Sequence, residues 1–171
     1  RGLFLAKCEK SVYNLQNKFN GTFSEDTMFR VAICDDEATS LQIIEALTEQ
    51  ILQEAEIEYE IATFEDMLVM TKVLTSGKDD YHLLISDVLA VGMTGIEAAE
   101  ELRRLGEKVP IVFVSSTAEY AMEGYRVHAL RYMKKPIEIE RLREALMEAY
   151  QMLLSVKKKA KKLFGILLLT F

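Results

Sequence analysis

Apolar residues in this chain fall into two patterns, short unbroken runs and longer stretches with three- and four-residue spacing. The runs Phe29-Arg30-Val31-Ala32-Ile33-Cys34, Leu83-Leu84-Ile85-Ser86-Asp87 and Ile111-Val112-Phe113-Val114 read as strands buried on both faces. Ile57, Tyr59 and Ile61 alternate with Glu58 and Glu60, which predicts a half-exposed strand ending near Phe64. Ala129-Leu130-Arg131-Tyr132-Met133 is a weaker fifth strand. Leu41, Ile44, Leu47 and Ile51 mark an amphipathic helix reaching about Glu54. A second helix is expected from Glu65 to Ser76, closed by Gly77, and a third from Ile96 to Leu105, stopped by Gly106. A fourth runs from about Ala118 to Arg126. The last opens at Glu138, lines up Leu142, Leu146 and Ala149, and has the pattern to continue through Leu153 into the lysines.

Five strand–helix alternations call for an α/β fold with helices on both faces of a parallel sheet. Right-handed crossovers leave few arrangements, and the doubly wound, flavodoxin-like order 2-1-3-4-5 suits five units. No Gly-x-Gly-x-x-Gly follows the first strand, and no Gly-Lys-Ser/Thr loop occurs, so nucleotide binding of those kinds is unsupported.

Charge divides the chain. Residues 28–151 carry 24 acidic and 12 basic residues, whereas residues 152–171 carry five lysines and no acid. An acidic body is a poor binder of nucleic acid by itself. The basic run Lys157 to Lys162 reads as a solvated helix face or linker before an anion site. Two cysteines, Cys8 and Cys34, imply no disulfide framework and fit reduced, intracellular conditions. No apolar run approaches the roughly 20 residues that span a membrane. Residues 1–27 show the apolar patches Leu3–Ala6 and Val12–Leu15, an Asn20-Gly21 turn and no secretory-signal centre. The expected organisation is an unassigned extension at 1–27, one domain at 28–151, and a basic linker with a short apolar tail at 152–171.

The candidate chemistry lies at the carboxyl ends of the strands, where open parallel sheets collect ligands. Asp87 alone would read as a cap or turn residue. Asp35-Asp36-Glu37 is a run of acids that repel one another, so either a helix cap or a divalent cation should compensate. In the order 2-1-3-4-5, strands 1, 3, 4 and 5 are neighbours. Asp35, Asp36, Asp87, Ser115 and Lys135 then converge on one shallow pocket. That set suits phosphoryl transfer to a carboxylate. Two or three carboxylates are enough for Mg²⁺, Asp87 is the nucleophile, and Ser115 and Lys135 supply the remaining partners of the phosphoryl oxygens.

Over roughly Phe29 to Tyr150 the chain resembles the receiver domain of bacterial two-component response regulators. The resemblance rests on Ile33-Cys34-Asp35-Asp36-Glu37, on Ile85-Ser86-Asp87 with Gly92-Met93-Thr94-Gly95, on Val112-Phe113-Val114-Ser115-Ser116, and on Lys135-Pro136. It implies Asp87 as phosphoacceptor, and Asp35, Asp36, Asp87 and the Leu89 backbone carbonyl as Mg²⁺ ligands. Ser115 and Lys135 would read the phosphoryl group, and Tyr132 would be the switch aromatic. The stretch Ser116 to Tyr125, followed by Ala129-Leu130-Arg131-Tyr132, is more specifically similar to regulators with a LytTR-type DNA-binding domain. A sensor histidine kinase is the implied donor, the bacterial cytoplasm the implied location, and a homodimer through the fourth helix, fifth strand and last helix the implied assembly.

Two departures stand out. The family usually has Met-Pro-Gly-Met-Asp-Gly after the acceptor strand, where this chain has Ala90-Val91-Gly92-Met93-Thr94-Gly95. The missing proline predicts a more mobile loop around an intact site, with Thr94 able to replace the missing Asp as helix cap. After Val156 only five lysines and Leu163 to Phe171 follow, far short of a DNA-binding module. DNA contact is therefore expected only through an output domain beyond this chain. The alternative reading is a phosphorylation-independent interaction module on the same fold. A true aspartyl-phosphate hydrolase is disfavoured, because the acid usual two residues after its nucleophile is Leu89 here.

Overall fold

The structure is a computed structural model that describes residues 28–78 and 80–169, with 163–169 described by backbone alone. The expected extension at 1–27 with its Asn20-Gly21 turn, Asp79, and the end of the apolar tail lie outside the described residues. Five strands, β1 (Phe29–Cys34), β2 (Tyr59–Phe64), β3 (Leu83–Asp87), β4 (Ile111–Ser115) and β5 (Arg131–Lys134), alternate with helices. The helices are α1 (Ala38–Glu54), α2 (Met67–Thr75), α3 (Gly95–Arg104), α4 (Ala121–Arg126) and α5 (Ile139–Leu169). The strands form one parallel sheet in the order β2-β1-β3-β4-β5, as the alternation predicts.

Side chains alternate across the sheet, so each strand feeds two cores. Phe29, Val31, Ile33, Leu83, Ile85, Val112, Val114 and Met133 meet Leu41, Ile44 and Ile51 of α1 and Leu142, Ala145 and Leu146 of α5. On the other face Ala32, Cys34, Leu84, Ile111 and Phe113 meet Met67 and Met70 of α2 and Ala98, Ala99 and Leu102 of α3. β1, β3 and β4 are covered on both sides, which is why they lack the polar alternation of β2.

Helix ends follow local chemistry. Asp66 caps α2, its side chain accepting from the Val69 N–H at 2.9 Å, so this helix begins two residues later than its pattern suggests. Thr94 and Glu97 form a full capping box on α3. The fourth helix starts at Ala121 rather than Ala118. Thr117 Oγ1 accepts from the Glu119 N–H at 3.2 Å and the Ala118 carbonyl from Ala121, and these local turns take the place of a first helical turn. β5 likewise starts at Arg131: the Leu130 N–H makes the first bond to β4, to the Ile111 carbonyl at 2.7 Å, and Ala129 belongs to the turn that closes α4 on the Gly124 carbonyl. The last helix keeps a helical backbone through the lysines to Leu169.

Candidate active site

The site is set by register. Cys34 pairs with Ser86, Asp87 with Val114, and Ser115 with Lys134. The residues just past these pairs therefore emerge together at one edge of the sheet. One carboxylate oxygen from each of Asp35, Asp36 and Asp87 lies within 4.8 Å of the others. Asp35 and Asp87 are buried and Asp36 is exposed. Lys135 reaches the same place, with Nζ 2.7 Å from Asp35 Oδ2 and 3.4 Å from Asp87 Oδ2. The Lys135 N–H bonds the Ser115 carbonyl at 2.8 Å, which holds the start of the β5–α5 loop beside β4. The Lys135-Pro136 peptide is cis.

Each acid has a distinct role in holding the backbone. Asp35 Oδ1 accepts from the Glu37 N–H at 3.0 Å, and Asp36 Oδ2 from the Val91 N–H at 2.9 Å. Asp87 Oδ1 accepts from Val88 at 2.7 Å and from Leu89 at 3.3 Å. None of them caps α1, whose N-cap is Glu37 without a side-chain cap bond. The helix cap expected as one compensation for the acid run is thus not made, and the positive charge that meets the acids is Lys135. The loop after Asp87 closes at Gly95, whose N–H bonds the Val88 carbonyl at 3.1 Å. A Cβ at Gly95 would fall 2.0 Å from the Asp87 carbonyl oxygen, so only glycine lets α3 start this close to β3.

Burial pushes the Asp35 carboxyl above its usual range, and the Lys135 ammonium and the Glu37 N–H only partly offset it. Burial alone would lower the Lys135 pKa, but its bond to Asp35 and the charge of Asp87 outweigh that and raise it. Neighbouring Cys34 is pushed up to about 12 by burial and by the surrounding acids, so it is no nucleophile at neutral pH.

Ser115 is fully buried and lies one step beyond Val114, the partner of Asp87. Tyr132 pairs with Phe113 across the sheet, the ring centroids 6.3 Å apart, and its hydroxyl donates to the Thr117 carbonyl at 2.7 Å. Gly124 of α4 makes room for that ring, since a Cβ there would stand 3.4 Å from Tyr132 Cδ2 and 3.3 Å from Phe113 Cδ2. Of the pocket's rim, sequence reasoning placed Glu37 in the acid run without a role of its own and missed Ser40. Ser40 Oγ lies 3.2 Å from Lys135 Nζ and donates to Glu37 Oε2 at 2.8 Å. The available signal was its place in the first turn of α1, four residues after Asp36.

Three carboxylate oxygens carry more negative charge than one ammonium neutralises, and hard oxygen donors are what Mg²⁺ takes. The donor set therefore fits that ion. Residues 31–147 match the response regulator receiver domain family, a span that holds the site and all of the sheet except Phe29 and Arg30 at the start of β1. The chain belongs to this family. A receiver accepts a phosphoryl group on its own side chain and is a phosphoacceptor rather than a conventional enzyme.

This receiver is 31% identical over 119 residues to the sensory transduction protein LytT of Bacillus subtilis (strain 168), covering 70% of this chain and 47% of that protein. It is 30% identical over 116 residues to the two-component response regulator ARR10 of Arabidopsis thaliana, covering 67% of this chain and 20% of that protein. The chain thus spans less than half the length of these curated relatives. Among solved structures it resembles the response regulatory domain of mrkE from Klebsiella pneumoniae, with TM-score 0.63 and 25% identity over 72% of this chain and 97% of that one. The receiver domain of the sensor histidine kinase PA1611 from Pseudomonas aeruginosa PAO1, solved with a magnesium ion in its active site cleft, shares the fold. Its TM-score is 0.60 at 17% identity over 71% of this chain and 97% of that one. Among the described residues, no helix is long and apolar enough to cross a membrane.

Proposed function

We propose that this receiver is a phosphorylation switch in which Asp87 takes a phosphoryl group from the phosphohistidine of a sensor histidine kinase. The observation that carries the reading is the gathering of Asp35, Asp36 and Asp87 within 4.8 Å, with Lys135 reaching two of them. Asp35, Asp36, Asp87 and the Leu89 backbone carbonyl are the proposed holders of Mg²⁺, which when bound neutralises charge on the transferring group. An Asp87 carboxylate oxygen forms the new O–P bond while the P–N bond of the donor breaks, and the imidazole leaves with the electron pair. Val88 and Leu89 hold the Asp87 carboxylate in place through its Oδ1. Lys135 and Ser115 supply an ammonium and a hydroxyl to phosphoryl oxygens.

The added charge draws the Ser115 hydroxyl toward Asp87. Thr117, whose carbonyl holds the Tyr132 hydroxyl, is two residues further on, so displacement of Ser115 is felt at Tyr132. Repacking of Tyr132 then remodels the face of α4, β5 and α5, which we propose as a homodimer surface. Similarity to LytT supports a LytTR-type, DNA-binding output in a bacterial cytoplasm, although the plant regulator ARR10 is similar to nearly the same degree. The coding sequence beyond Phe171 tests that output directly.

The switch is tested by adding Mg²⁺ with acetyl phosphate or beryllofluoride to the wild type and to Asp87→Asn. With acetyl phosphate wild type should gain one phosphoryl group by mass, and with either reagent its amide spectrum should shift around Ser115 and Tyr132. Identical responses of the two proteins would sink the reading.

A further inference from the structure

Among the described residues Lys135 Nζ has three acceptors, and they differ in kind. Two are the carboxylate oxygens of Asp35 and Asp87, at 2.7 and 3.4 Å. The third is the hydroxyl of Ser40, at 3.2 Å and 95 residues away in sequence. The Ser40 proton is engaged with Glu37 Oε2 at 2.8 Å, which turns an oxygen lone pair toward the ammonium. The hydroxyl is thus oriented as an acceptor by its neighbour. It is also the one neutral partner of the three.

This difference matters once the acids are committed elsewhere. With Asp35 and Asp87 holding a divalent cation, their oxygens are shared and like charges oppose an ammonium at the same place. A neutral acceptor at the rim is not affected in that way. We infer that Ser40, oriented by Glu37, is a positioning residue that keeps the Lys135 ammonium at the pocket when Asp35 and Asp87 are engaged by a cation. The inference rests on the proposed reading of the acidic pocket. It explains why cation and ammonium can both serve one phosphoryl group instead of excluding each other.

The test is Mg²⁺ titration of the full chain, followed by amide chemical shifts, for wild type, Ser40→Ala, Ser40→Thr, Lys135→Ala and the Ser40→Ala/Lys135→Ala double variant. Ser40→Ala should weaken Mg²⁺ binding by about three- to tenfold, the scale of one ordinary hydrogen bond, because the Lys135–Ser40 contact is long at 3.2 Å and only part-buried. Ser40→Thr, which keeps the hydroxyl, should restore it. In the Lys135→Ala background the Ser40 change should do nothing, because no ammonium is left to place. Unchanged or tighter binding in Ser40→Ala, or an equal loss in both backgrounds, overturns the role of Ser40 and leaves the pocket reading standing. No saturable response of the wild type at tens of millimolar Mg²⁺ overturns the pocket reading, and Ser40 with it.

Discussion

His82, outside the site, shows how a single side chain links pH to folding. Its backbone N–H donates to the Arg30 carbonyl at 2.8 Å, while its Nδ1 accepts from the Arg30 N–H at 3.0 Å. The ring also stacks on Phe29, with centroids 6.2 Å apart. Burial lowers the His82 pKa below its ordinary 6.5; Lys157 and Arg30 act in the same direction and Asp80 against it. A proton on Nδ1 would also abolish the bond from Arg30. Below pH 6.5 the unfolded chain binds this proton more readily than the folded one, so stability rises with pH through this window. The contribution is complete above 6.5 and is lost as pH falls toward the depressed folded value. In His82→Gln the amide carbonyl can accept the same N–H without titrating. Urea unfolding between about pH 7.5 and 5.5 should therefore weaken wild type more than the variant, the acids common to both cancelling. Parallel pH profiles would contradict this.

At the scale of elements, the start of α3 matters most, because it borders the loop after Asp87. Thr94 replaces the acid common in the family and still makes both halves of the capping box, as its chemistry predicts. Thr94→Ala should cost about 1 kcal/mol in urea unfolding. Gly95→Ala should cost about 3 kcal/mol or more, since its methyl would collide with the Asp87 carbonyl and with Ser86 Oγ. It should also slow phosphorylation from acetyl phosphate by shifting the Asp87 backbone. A loss below about 0.5 kcal/mol would mean that the close approach is not a real constraint. α3 was legible because its cap and its glycine stop are local signals. The start of α4 was not, because a run of hydroxyl residues can bond its own backbone as readily as begin a helix.

At the scale of the molecule, stability and signalling draw on different surfaces. The exposed pairs Arg30–Glu60 and Arg104–Glu101 contribute little, because water and salt screen them. A fully buried Leu146 or Leu102 is worth far more, about 2–5 kcal/mol on truncation to alanine. The two cores therefore hold the sheet, and the surface is free to serve partners. On α4, Met122 and Tyr125 are 76% and 81% exposed, while Arg131 of β5 pairs with Glu148 of α5. If the α4–β5–α5 face is the dimer surface, beryllofluoride should raise the sedimentation coefficient of wild type. Tyr125→Asp should prevent that rise while leaving amide shifts at Asp87 intact. A persistent monomer in wild type would remove this face from the proposal.

The sequence by itself determined the strand runs of β1 to β4, the order of the sheet and the strand-end positions of Asp35, Asp36, Asp87, Ser115 and Lys135. Apolar period and strand-end chemistry are local, and right-handed crossovers leave few ways to assemble them. Only the tertiary structure decided who touches whom at the pocket. Lys135 meets Asp35 across 100 residues, Asp36 meets Val91 across 55, and Ser40 enters through Lys135 with no motif to announce it. These contacts follow from register and loop path, which the pattern of apolar and polar positions does not encode. The same limit hid the need for Gly95, since its constraint is an oxygen on the neighbouring strand.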